Sequence, residues 1–128
     1  MLINEHRARI TQHRGGSVRG VSDADIQRMC DFLYGAVRAR CKDFEDAQFA
    51  ARDLLGGANY FWEGTPMAVL FNKYVDEGCT HEEAVKRAGQ SAGKLLKRVL
   101  IEDPNRTYVI GDAGLAAGYT WLGDGARR

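Results

Sequence analysis

Long apolar runs are missing from this sequence. The stretch Met67-Ala68-Val69-Leu70-Phe71 is among the longest, far short of the roughly 20 consecutive apolar residues that a membrane-spanning helix needs. The first residues place Glu5, His6 and Arg7 close behind Met1 and so lack the apolar segment of a secretory signal. The expectation is a cytoplasmic protein with no membrane contact. Cysteine is scarce: Cys30, Cys41 and Cys79 cannot all pair within one chain, and none is spaced as a C-x-x-C ligand pair. A disulfide scaffold is therefore excluded, and reduced thiols are expected. Charge of one sign is lacking as well, since 18 Lys and Arg against 17 Asp and Glu leave a net charge of +1. Domains that bind nucleic acid are usually clearly basic.

A chain of 128 residues is long enough for one hydrophobic core and too short for two. Its 45% hydrophobic and 27% charged residues are near globular averages, so neither disorder nor a membrane class is suggested. Charge is nonetheless uneven. Residues 1–21 carry Arg7, Arg9, Arg14 and Arg19 against Glu5 alone.

Residues 1–14 suit a short helix capped by Asn4, and Gly15-Gly16-Ser17 with Gly20 suits a joint. Residues 1–21 are thus expected to form a flexible basic arm, and residues 22–128 a single helical domain. Ser22 caps a first helix, with Asp23 and Asp25 favourably placed in its positive first turn. Ile26, Cys30, Leu33, Val37 and Cys41 recur on one face at 3.6 residues per turn. Asp43 is a plausible cap for a second helix carrying Phe44, Ala47, Ala51, Leu54 and Leu55 and stopped by Gly56-Gly57. Thr65-Pro66 begins a third, lined by Leu70, Phe71, Tyr74 and Val75 until Gly78. Thr80-His81-Glu82-Glu83 is a capping box for the fourth and longest. Its buried stripe is Val85, Ala88, Ala92, Leu95, Leu96 and Val99, and Pro104 closes it near Glu102. Gly89 and Gly93 lie inside this helix at about 1 kcal/mol each relative to Ala. A close helix-helix crossing would account for them.

After Pro104 the signals compete. Tyr108-Val109-Ile110 has strand propensity and can pair with Tyr119 to Leu122, yet Leu115, Tyr119 and Leu122 also keep a helical spacing. The fold class expected is therefore mainly α: a compact bundle of four main helices, with either a short C-terminal β-hairpin or a docked glycine-rich tail.

Chemistry is hard to find. His6, His13 and His81, even with Cys79 two residues before His81, do not have the spacing of a four-ligand zinc site, so no metal and no cofactor are expected. Cys79 lies ahead of a helix start and close to His81 in sequence, which keeps a small Cys/His enzyme as one alternative. A small residue filling the turn is the simpler account. No glycine run has the spacing of a phosphate-binding loop.

Two surface features remain. Tyr60, Phe61 and Trp62 are three consecutive aromatics that cannot all point inward, and Tyr119 and Trp121 in the tail pose the same question. Rings of this kind are enriched at binding hot spots. The leading expectation is accordingly a non-catalytic binding or regulatory protein acting on another protein, with self-association also open. Phage-encoded inhibitors of host defence are small regulators of this sort. The second feature is basic: the arm's Arg7, Arg9, Arg14 and Arg19, and one face of the long helix with Lys86, Gln90, Lys94 and Lys97. The alternative it supports is nucleic-acid binding by phosphate neutralisation.

Overall fold

The computed structural model describes residues 1–43, 48–55, 62–113 and 116–124. It is not a helical bundle. Four helices, α1 (Asp23–Asp43), α2 (Ala51–Leu54), α3 (Ala68–Asp76) and α4 (His81–Glu102), are joined by four strands, β1 (Leu2–Ile3), β2 (Arg9–Ile10), β3 (Arg106–Ala113) and β4 (Ala116–Asp124). The strands form one mixed sheet in the order β2-β1-β3-β4. The all-helical expectation thus gives way to a mixed α/β fold, and the reason is at both ends of the chain.

At the N-terminal end, Asn4 does not cap a helix. Its backbone N–H donates to Ala8 O (2.9 Å), its carbonyl accepts from Arg7 N (3.0 Å), and its Oδ1 accepts from both His6 N and Ala8 N. These bonds close a hairpin with Glu5, His6 and Arg7 as its loop, and Arg7 occupies the left-handed region at φ 64°. A turn followed by one left-handed residue is a common three-residue hairpin loop. Leu2 and Ile3 are buried and pair in parallel with Tyr108 and Val109, so the segment read as an arm supplies a central strand. Gly15 is not merely a joint either. A Cβ there would lie 2.7 Å from the Lys94 carbonyl oxygen, so only glycine lets the chain lie this close to α4.

At the other end, Tyr108, Val109 and Ile110 pair with Trp121, Thr120 and Tyr119, and the ladder continues to Ala113 and Ala116. Alternate residues Tyr119 and Trp121 face the core, as the two-residue period of a strand requires.

The second expected helix is mostly absent among the described residues. Phe44 and Ala47 lie outside them. Phe49 exchanges two backbone hydrogen bonds with Tyr119, at 2.8 and 2.7 Å, which demands extended backbone and leaves helix only for Ala51–Leu54. The Phe49 ring then packs edge-on to Tyr108 and tilted to Tyr119. Helix α4 is the hub. Thr80 Oγ accepts from Glu83 N at its start, and Ala88, Ala92, Leu95, Leu96, Val99 and Leu100 join Ile26, Met29, Leu33 and Val37 of α1 and Leu70 of α3 in one core with the sheet.

Candidate functional site

A groove of about 640 Å³ runs beside α4, a size typical of ligand sites. One wall is the face of α4 bearing Lys86, Gln90, Lys94 and Lys97; the other comprises Ala50, Ala51 and Arg52 with Ala117 and Tyr119 of β4. Gly89, Gly93 and Leu96 complete the lining. Four of these residues are cationic and none is acidic. Lys86 and Lys94 are exposed and Lys97 is half-buried, and none of the three forms an ion pair among the described residues.

Gly93 does not serve a helix crossing. A Cβ on Gly93 would meet nothing within 4 Å, so this position is open space in the groove. The expected explanation is corrected accordingly: a helix that forgoes about 1 kcal/mol at such a site gains room there and no packing.

The arginine segment reaches the opposite flank of the same helix. Arg98 Nη1 donates to Gly15 O (3.2 Å), so the exposed Arg14, adjacent in sequence, is carried toward Lys94. Arg7 and Arg9 sit instead on the β1–β2 hairpin, and Arg19 is exposed near the start of α1. The structure therefore brings together Lys86, Lys94 and Lys97 in the groove lining and leaves the four arm arginines outside it. Arg52 is an addition that sequence reasoning missed, because nothing local signals that residues 50–52 face α4.

The aromatic candidates lie elsewhere. Tyr60 and Phe61 are outside the described residues. Trp62, Tyr119 and Trp121 are buried, at 3%, 3% and 4% relative exposure, and the Arg106 guanidinium lies 4.5 Å above the Trp121 ring centre. Trp62 and Trp121 belong to the core, and Tyr119 belongs to it as well while bordering the α4 groove. The only large apolar side chains exposed among the described residues are Val75 and Leu122.

Burial pushes Cys30 and Cys41 up from the ordinary thiol range, the direction opposite to a nucleophile. His81 packs edge-on against Phe71. Among the described residues no three His, Cys, Asp or Glu side chains gather as a metal site would require, and no helix is long and apolar enough to cross a membrane.

Beyond the groove, the C-terminal end of α4 holds a closed polar network. Asp103 Oδ1 accepts from Asn105 N (2.9 Å) and Arg106 N (3.2 Å), and its Oδ2 accepts from the Tyr108 hydroxyl (2.9 Å). Arg38, hydrogen-bonded to the Tyr34 hydroxyl, stands 3.9 Å from the same carboxylate. Burial, reinforced by Asp103, holds the Tyr108 phenol well above its usual range.

No protein-family model matches the chain, and neither a curated protein nor a solved structure proves similar to it.

Proposed function

We propose that this chain is a non-catalytic binding protein for nucleic acid, gripping the phosphate backbone along α4. The observation that carries the reading is the groove lining, where Lys86, Lys94 and Lys97 stand with no carboxylate among the described lining residues. These three lysines form no ion pair among the described residues, an electrostatic surplus that phosphates satisfy, releasing counterions as they do so. A near-neutral net charge does not oppose the reading, because acids such as Glu82 and Glu83 at the start of α4 and Asp23 and Asp25 at the start of α1 offset the sum without entering the described groove lining.

A second reading keeps a protein partner. The groove floor is built from alanine, leucine and glycine, and an acidic amphipathic helix can set apolar side chains on such a floor and carboxylates on its rim. The aromatic surface that first suggested a protein partner does not support this version, since Trp62, Tyr119 and Trp121 are buried.

Fluorescence anisotropy of labelled oligonucleotides across a salt series tests the proposal. Affinity should fall steeply as salt rises, and Lys94→Gln with Lys97→Gln should weaken binding at least about tenfold at low salt while lowering the salt slope by roughly 1.4, at about 0.7 per single-strand phosphate contact. No binding at low salt would sink the reading.

A further inference from the structure

We infer that the ligand of the α4 groove is a single strand of nucleic acid, held with its phosphates on the lysine rim and its bases turned onto the glycine-alanine floor. This rests on the nucleic-acid reading above and narrows it. A rim and a floor of different chemistry need a ligand that is anionic along one side and flat and apolar along the other. A single strand has that form, because its bases are free to splay away from its backbone. A duplex does not, since its bases are stacked inside and only edges show in the grooves.

The shape of the site points the same way. A helix that reads duplex DNA protrudes so that it can enter the major groove. Helix α4 is flanked on both sides: Ala50, Ala51 and Ala117 line one, and Gly15 lies against Lys94 and Arg98 on the other. The rim from Lys86 to Lys94 extends along about 12 Å of helix at about 1.5 Å per residue. A stacked strand carries about one phosphate per 3.4 Å, so three or four phosphates pass the rim. Gly93, where a Cβ would meet nothing within 4 Å, leaves space for a base against the helix backbone.

The test uses the full chain and four probes of one length: a single-stranded DNA, the same sequence as RNA, its DNA duplex, and an abasic single strand with an unaltered phosphate backbone. The expected result is binding of single-stranded DNA or RNA at least tenfold tighter than the duplex, with the abasic strand weakened to a similar degree. Gly93→Leu, which fills the floor and removes no charge, should weaken the single strand at least tenfold and leave the abasic strand unchanged. Circular dichroism verifies that this variant is folded, and the abasic comparison stands without it. A duplex bound as tightly as the single strand, or an abasic strand bound as tightly as the intact one, overturns this inference and leaves nucleic-acid binding standing. Absence of all four interactions at low salt, or equal competition by polyglutamate, overturns the nucleic-acid reading itself.

Discussion

Helix α4 carries polar groups in two regions that are built in opposite ways. In its middle, Lys86, Lys94 and Lys97 face a groove without a carboxylate in its lining. At its C-terminal end, the Asp103 carboxylate is buried, and both oxygens accept hydrogen bonds from Asn105, Arg106 and Tyr108. A carboxylate at this end of a helix opposes the macrodipole, so the compensating donors are what make it tolerable. The small cleft beside it, about 170 Å³, is lined by Asp31, Glu102 and Asp103, and is thus acidic where the groove is basic. Charge whose partners lie within the chain holds the fold together. Charge whose partners are missing is available to a ligand.

Removing Asp103 breaks the comparison most directly. Asp103→Ala should destabilise the protein by about 3 kcal/mol or more, at about 1–3 kcal/mol for each donor left without its acceptor, among them the buried Tyr108 hydroxyl, measured by urea denaturation. Oligonucleotide affinity of the molecules that remain folded should be unchanged. A loss of affinity out of proportion to the folded fraction would show that the two regions are not separate.

Tyr119 sharpens the boundary between them, because it belongs to the core and also lines the groove. Burial pushes its phenol up to about 12, whereas an unfolded tyrosine loses its proton near pH 10. The native state therefore retains a proton that the unfolded state has released. The stability tied to this group is fully present below about pH 10 and disappears as pH rises through 12, an amount of about 3 kcal/mol at about 1.4 kcal/mol per pH unit. Tyr108 is shifted in the same direction and steepens the fall. Tyr119→Phe should lose less stability between pH 9 and pH 11.5 than the parent protein; equal losses would contradict a buried neutral phenol.

The smallest effect is the most diagnostic of purpose. Gly93→Ala should raise stability by about 1 kcal/mol through helix propensity, because its methyl group meets open space. The same change should weaken single-strand binding slightly. A glycine kept for packing would instead lose stability on this substitution.

What was legible in the sequence was local. The Ile26 to Cys41 stripe and the Thr80 cap lie within single helices, where spacing at 3.6 residues or one side-chain bond is enough to reveal them. Strands β1 and β2 are two residues each, too short to show a period, and the neighbour that makes β1 a strand is β3, near the far end of the chain. The available hints were Leu2-Ile3 and an asparagine suited to a turn. In the site, Lys86, Lys94 and Lys97 could be placed on one face by counting. The opposite wall could not, because Ala50, Arg52 and Ala117 reach it through the Phe49–Tyr119 bridge, a tertiary contact. Gly93 was misread for a related reason: a missing side chain looks the same in sequence whether it admits another helix or leaves a cavity. For Trp62 and Trp121 the sequence leaves core and surface both open, and burial decides for the core.

The parallel pairing of Leu2 with Tyr108 has a kinetic consequence. During synthesis β1 is made before α1, α3 and α4 and its partner β3 after them, so the pairing waits until the helices have been made. Closing so long a loop is entropically costly, and contacts of such high sequence separation slow folding, whereas the helices form from local contacts alone.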